Sequence, residues 1–131
     1  MAPTPETMTG IALNGKGGPE VLQPQSMAVP KLGPGQILVK VAAAGVNRPD
    51  VQQRMGAYPP PPGHSPLPGL EIAGEVAAVG PGAARWKVGD QVVLHCNYVD
   101  DQDPSSHNDS MKAANQRIWG YETNFGGLAD L

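Results

Sequence analysis

Few residues of this chain are of the types that perform nucleophilic or metal chemistry. Cys96 is the only cysteine among 131 residues, so the chain can form neither an internal disulfide nor a multi-cysteine zinc site. A cysteine nucleophile needs an activating partner, and the neighbouring His95 would point to the opposite face of a strand. We therefore expect Cys96 to be a small residue near a strand end.

Two other stretches resemble ligand sites but lack a required feature. Residues 80–85 have the sequence GPGAAR, which supplies only the first two glycines of the GxGxxG dinucleotide motif and returns to a strand without room for a helix. The acidic residues between Asp100 and Asp109 lack the spacing and the glycine of a calcium loop. We predict a turn at the first stretch and a long polar surface loop over residues 98–116.

Apolar periodicity and turn residues predict a mostly β fold. The chain has 17 glycines and 15 prolines, more than the usual share, which favours turn-rich β structure. Residues 1–8 are expected to be a disordered lead-in, and residues 9–131 one domain. The organising stretch is 69–93, which predicts two buried strands joined by a tight connection. Strands are predicted where apolar runs meet turn residues: 11–13, 21–29, 37–44, 72–79 and 88–94.

A short helix is predicted over Arg48–Met55. Asn47 is of a type favoured at the N-cap, Pro49 lies in the first turn, and Asp50 lies near the positive end of the helix dipole. Gly56 is expected to end the helix. Tyr58 then precedes four prolines that hold the following segment extended.

The charge and hydropathy of the chain argue against two classes of partner. A net charge of −3 with only 9 Lys and Arg residues provides no basic stripe for nucleic acid. No apolar run approaches the ~20 residues of a membrane span, and the first ten residues lack the pattern of a signal peptide. We therefore expect a cytoplasmic protein that binds neither nucleic acid nor membrane.

Residues 69–93, with GVNRPD at 45–50 and GAYPPPPG at 56–63, resemble the GroES-like catalytic domain of the medium-chain dehydrogenase/reductase superfamily, and within it the zinc-free quinone oxidoreductases. This resemblance covers roughly residues 9–93. The sequence HCN at 95–97 and the run 117–131 resemble instead the crotonyl-CoA carboxylase/reductase group. Because the two halves resemble two relatives, a chimera joined near residues 89–94 is one hypothesis. The resemblance implies a GroES-like, partly open β-barrel with one or two short helices and no Rossmann domain.

The resemblance also locates a metal site that this chain lacks. The catalytic zinc of the superfamily is held by a cysteine and a histidine, in the segments where this chain has Asn47 and Leu70. Neither residue replaces a thiolate or an imidazole, so no catalytic zinc is expected.

By the same resemblance, four residues form the predicted site. Asn47 is a catalytic and cofactor-binding residue that hydrogen-bonds near the nicotinamide or the substrate carbonyl, and Tyr58 lines the substrate pocket. Tyr121 and Glu122 correspond to an aromatic–glutamate pair that helps to hold carbon dioxide beside an enoyl-CoA, although tyrosine stands where phenylalanine is expected. Glu122 is therefore assigned to catalysis and Tyr121 to substrate binding.

Each of these four residues also has a structural interpretation. Asn47 can cap its helix, a role that does not exclude the site, and Tyr58 can pack against the prolines. Tyr121 and Glu122 can be a structural aromatic and a surface carboxylate in a tight turn.

The implied function is the substrate-side half of a zinc-independent, NADPH-dependent oxidoreductase acting on quinones or other α,β-unsaturated carbonyl compounds. In that superfamily the Rossmann domain follows the segment at which this chain stops. We therefore expect that NADPH serves the parent enzyme, and that this chain alone neither binds it nor turns over substrate. An apolar face left uncovered would favour a homodimer or aggregation. The rival hypotheses are a chimera or excised domain made to study folding, and a chaperonin-like binding module suggested by fold analogy alone.

Overall fold

The structure is a computed structural model that describes residues 3–64, 67–94, 96–98, 104–106, 116–120 and 126–131. Strands predominate in the described residues, and their one α-helix, α1 (Arg48–Met55), has 8 residues. No helix in the described part of the chain is long and apolar enough to cross a membrane. The strands are β1 (Thr7–Leu13), β2 (Leu22–Ala28), β3 (Ile37–Ala44), β4 (Ile72–Val79), β5 (Gln91–Val93), β6 (Asn97–Tyr98) and β7 (Arg117–Ile118).

These strands form three antiparallel sheets. The hairpin β1–β2 is one sheet, and β3, β4 and β5 form the second with β4 in the centre. Strands β6 and β7 pair on either side of the predicted polar loop, most of which lies outside the described residues. The predicted mostly β, partly open fold with one or two short helices is confirmed, and no closed barrel forms among the described strands.

The segment 128–131 connects the first two sheets. The Ile11 N–H donates to the Leu128 carbonyl oxygen at 2.7 Å, and the Val41 N–H donates to the Asp130 carbonyl oxygen at 2.9 Å. The Asp130 N–H also donates to the Thr9 carbonyl oxygen at 3.0 Å. Because both β1 and β3 bond to this segment, the hairpin and the three-stranded sheet are held together through residues 128–131.

The main hydrophobic cluster lies where the hairpin meets this segment. Met8, Ala12 and Leu67 are buried there, and four half-buried apolar residues pack against them: Met27, Val29, Ala129 and Leu131. This packing corrects the expected lead-in at its last two residues, Thr7 and Met8. Strand β1 begins at Thr7 rather than Ile11, because burying Met8 offsets the entropy cost of ordering that end of the strand.

The local predictions around the helix and the central strand are confirmed. Strands β3 and β4 and helix α1 have the predicted bounds, and Gly56 ends the helix in the left-handed conformation with φ 81°. The predicted strand after residue 88 is present, but it is shorter than predicted and is not buried. Strand β5 has only 3 residues, and the Val93 side chain is 82% exposed because no described element covers that face.

Candidate functional site

Asn47 lies where strand β3 has ended and helix α1 begins. Its backbone is extended, with φ −112° and ψ 163°, and it is the N-cap residue of α1, as the sequence predicts. Its side chain is half-buried. A polar amide is therefore held at the positive end of a helix dipole without being enclosed in the core.

Asp50 is the charged residue that links Asn47 to the rest of the domain. It is 5% exposed, and both of its carboxylate oxygens accept hydrogen bonds from backbone amides. Oδ2 accepts from the Asn47 N–H at 2.8 Å, and Oδ1 accepts from the Gly69 N–H at 2.9 Å. One carboxylate thus joins the start of α1 to the segment before β4.

The sequence predicted Asp50 only as a favourable charge at the helix dipole, and the tertiary bond to Gly69 was missed. The spacing of an Asn at the N-cap and an acidic residue three positions later was the available signal, because it allows a capping box. Nothing in that local spacing identifies the second amide as that of Gly69.

Gly69 is in turn packed directly against the tail of the chain. Its φ is +114°, and a Cβ at this position would lie 2.7 Å from the backbone nitrogen atoms of both Gly127 and Leu128. The Gly69 carbonyl oxygen accepts a hydrogen bond from the Gly127 N–H at 3.1 Å. A Cβ at Gly120 would meet that same carbonyl oxygen, and one at Gly126 would meet the backbone of Leu67. These glycines allow three backbone segments to approach one another closely.

Tyr121 and Glu122 lie outside the described residues, so their predicted roles stay predictions. The described glycines on either side of them, Gly120 and Gly126, both contact the 67–69 segment. Gly120 and Gly126 therefore both lie beside the segment that Asp50 ties to Asn47.

Tyr58 lies beyond the other end of α1. Its side chain is half-buried and its N–H donates to the Gln52 carbonyl oxygen at 3.2 Å. The 8-residue helix has a length of about 12 Å, so Asn47 and Tyr58 lie at opposite ends of that span.

The prediction that no catalytic zinc binds depends on the donor atoms at two positions. The two positions that correspond to zinc ligands hold an amide, Asn47, and an alkyl side chain, Leu70. Such a pair does not supply the nitrogen and sulfur ligands of zinc. In the part of the chain that the structure describes, no group of three His, Cys, Asp or Glu side chains is arranged to hold a metal ion.

One carboxyl group has a clearly shifted pKa, and it lies away from this site. A hydrogen bond from the Lys87 side chain, and then one from the Lys87 backbone N–H at 3.0 Å, hold the pKa of Asp90 below its ordinary value of 3.8. The pair stabilises the turn before β5. The predicted turn at residues 80–85 is also observed, with the Ala83 N–H donating to the Gly80 carbonyl oxygen at 3.2 Å.

Residues 33–131 match the family described as the alcohol dehydrogenase GroES-like domain. The chain belongs to this family. The family is part of the medium-chain dehydrogenase/reductase superfamily, which confirms the resemblance found in the sequence.

Relatives of this GroES-like domain include reductases of two kinds. A crotonyl-CoA reductase of Streptomyces collinus is 37% identical over 96% of this chain and 32% of its own length. A quinone oxidoreductase of Lama guanicoe is 43% identical over 70% of this chain and 28% of its own length. Among solved structures, a 2-octenoyl-CoA carboxylase reductase in complex with NADP and 2-octenoyl-CoA is 32% identical to this chain, with a TM-score of 0.82. The match covers 98% of this chain and 35% of the reductase chain.

The extent of these matches bears on the chimera hypothesis. The crotonyl-CoA reductase match extends over 96% of the chain and so crosses residues 89–94. A single relative therefore accounts for both halves, and no junction is needed to explain the tail. The chain spans about a third of the length of the crotonyl-CoA reductase it matches.

Proposed function

We propose that this GroES-like domain is the substrate-side part of a zinc-independent, NADPH-dependent oxidoreductase that reduces the double bond of α,β-unsaturated acyl-CoA thioesters. The observation that carries the proposal is the similarity to crotonyl-CoA reductase over 96% of the chain. That similarity includes the Asn47 segment and most of the tail after Arg117, the two parts that the Asp50 and Gly69 contacts bring together.

In this proposal Asn47 acts on the thioester carbonyl. When the β-carbon of an enoyl thioester gains a hydride, negative charge develops on the carbonyl oxygen. The Asn47 amide at the N-terminus of α1 is a donor that stabilises such charge, and the helix dipole has the favourable sign there. Its contribution is electrostatic and requires a fixed position.

Tyr58 is proposed to contact the acyl part of the substrate from the far end of α1. Tyr121 is assigned to the same pocket, and Glu122 to a catalytic role beside Asn47. Support for the latter pair comes from the position of their flanking residues, because Gly120 and Gly126 both pack on the 67–69 segment. Retention of carbon dioxide by Asn47, Tyr121 and Glu122 is the carboxylating form of the same proposal.

In this proposal the phosphates of the dinucleotide are not bound by the turn at residues 80–85. Residues 80–85 form a turn, and no α-helix begins after them in the described part of the chain. NADPH, bound elsewhere in the parent enzyme, supplies the hydride. This chain supplies Asn47 at the nicotinamide end and holds the substrate.

Calorimetric titration of the purified chain tests the proposal. We expect no heat with NADPH and saturable binding of crotonyl-CoA that is weakened by Asn47→Ala. Butyryl-CoA, which lacks only the double bond, is the matched control ligand, and a full-length crotonyl-CoA reductase is the positive control for NADPH. Micromolar binding of NADPH (about −8 kcal/mol) would place a nucleotide site within this chain and contradict the division of roles.

Quinone reduction is the second candidate, favoured by the 43% identity to quinone oxidoreductase. An NMR titration distinguishes the two substrates through the backbone amides of Asn47 and Tyr58. Duroquinone is the suitable probe because its ring has no free position for addition of the Cys96 thiol. Shifts with duroquinone and none with crotonyl-CoA would favour the quinone.

The exposed face of the second sheet supports a proposal about assembly. Cross-strand pairing places Val93 beside Ala73, and Ala73 beside Ala43, so an apolar row crosses β5, β4 and β3. Val93 is 82% exposed on this row. We propose that the row mediates self-association of the chain when no other domain covers it.

A further inference from the structure

Helix α1 turns polar residues inward and apolar residues outward. Asp50 and Gln53, three residues apart on one face, are 5% and 4% exposed, whereas Val51 and Met55, four residues apart on another face, are 39% and 58% exposed. A surface helix normally does the reverse, because burial of its apolar stripe fixes its orientation. Hydrophobic packing therefore does little to fix the rotational orientation of α1 about its axis.

Hydrogen bonds at the two ends of α1 supply the missing constraint. Near the C-terminus, Arg54 Nη1 donates to the Gly17 carbonyl oxygen at 2.7 Å, and the Gly17 N–H donates to the Arg54 carbonyl oxygen at 2.9 Å. At the N-terminus, Asp50 accepts from Asn47 and Gly69. Because hydrogen bonds are directional, both sets restrict rotation as well as distance. The Asp50 set is the one that adjoins Asn47.

The chemistry of the buried carboxylate explains why aspartate suits this position. A buried carboxylate is costly unless its oxygens are hydrogen-bonded, and both Asp50 oxygens have a backbone amide within 2.9 Å. An asparagine would direct its NH2 group at one of the two N–H donors. An alanine would leave both amides without this partner. Asparagine therefore removes one of the two hydrogen bonds, and alanine removes both.

We propose that Asp50 is the positioning residue of the candidate site. Its carboxylate fixes the place of Asn47 relative to Gly69 and to the tail residues that pack on Gly69. The geometric part of this inference stands on the contacts of Asp50, and the part that concerns ligand binding rests on the proposed function.

Amide hydrogen exchange measured by NMR in Asp50→Asn tests the geometric part. Asp90→Asn is the matched control, because the Asp90 carboxylate also accepts from the N–H three residues earlier, that of Lys87 at 3.0 Å, but its other bond is to the Lys87 side chain rather than to a distant segment. In Asp50→Asn we expect exchange of at least one of the Gly69 and Asn47 amides to accelerate by about tenfold or more, with shifted resonances for the Asn47 side-chain NH2 group. The Ile11 amide should stay protected, and Asp90→Asn should leave the Gly69 and Asn47 amides unchanged.

Wild-type exchange at both the Gly69 and the Asn47 amide, together with wild-type shifts of the Asn47 side chain, in the Asp50→Asn protein would overturn the inference. If that variant does not fold, Asp50→Glu decides the question. Glutamate at this position can retain the capping-box bond to Asn47, while its extra methylene moves the carboxylate away from Gly69. Faster exchange at Gly69 alone supports the inference, and unchanged exchange there refutes it.

Crotonyl-CoA titrations test the link to function. Asn47→Ala and Asp50→Asn should each weaken crotonyl-CoA binding by about tenfold. The affinity of the double variant should be no lower than that of the single variant with the lower affinity, because both changes act through the Asn47 side chain. Effects that multiply would show that Asp50 acts independently of Asn47 and would overturn the positioning role. If the wild-type chain binds no crotonyl-CoA, the proposed function fails, and the exchange experiment still decides whether Asp50 positions Asn47.

Discussion

Replacing Gly69 with alanine should destabilise the domain far more than the same change at another glycine with a positive φ. At φ +114° an alanine costs about 1–3 kcal/mol in backbone strain alone. Its Cβ would also lie 2.7 Å from two backbone nitrogen atoms, so the tail must move. That movement weakens the bonds from Gly127 to Gly69 and from Leu128 to Pro68, both 3.1 Å, at about 1 kcal/mol each. The total is about 3–5 kcal/mol.

Gly89 provides the matched control. Its φ is +93°, and a Cβ there would meet no atom within 4 Å, so Gly89→Ala carries the strain without the collision. We expect urea unfolding at constant slope to give a loss for Gly69→Ala that exceeds the loss for Gly89→Ala by about 2 kcal/mol. Equal losses for the two variants would refute the conclusion that backbone contact at Gly69 fixes the tail.

Three further predictions concern the sheets and their turns. Because Lys87 lowers the pKa of Asp90, the stability that this carboxylate contributes is complete above pH 3.8 and is lost as the pH falls through the lowered pKa. Replacing Lys87 with methionine should move the NMR titration midpoint of Asp90 upward, and an unchanged midpoint would contradict the assignment of the shift to Lys87. Sedimentation equilibrium should show concentration-dependent association of the wild-type chain and at least about tenfold weaker association for Val93→Glu, whereas a wild-type monomer at high concentration would contradict the proposed apolar contact. Deleting residues 128–131 should abolish cooperative thermal unfolding, since the bonds joining β1 to β3 are lost, while Asp130→Asn, which alters only the side-chain bond to the Thr9 N–H, should retain a transition.

Helix α1 shows how much local sequence can predict. Asn47 before a proline-containing turn, followed by Gly56, sets both ends of the helix, because capping and the left-handed C-terminal residue are properties of neighbouring residues. Strands β3 and β4 were predicted for a similar reason, since apolar runs bounded by turn residues favour strands whatever lies around them. The family resemblance was carried by these same local motifs.

Strand ends that depend on packing were not predictable in this way. Strand β1 starts at Thr7 because Met8 joins a cluster with Leu67, and that contact joins residues distant in sequence. Val93 has the residue type of a buried strand but is exposed, because burial depends on whether another element covers the face.

The amino-acid sequence determined the residue types of the candidate site, the absence of a thiolate and an imidazole at the corresponding metal positions, and the capping of α1, because each depends on side-chain chemistry or on nearest neighbours. Only the tertiary structure decided that Asp50 connects Asn47 to Gly69 and that the tail packs against Gly69. Those contacts join segments that are far apart in sequence. Their geometry is set by the packing of the whole domain, which no local pattern contains.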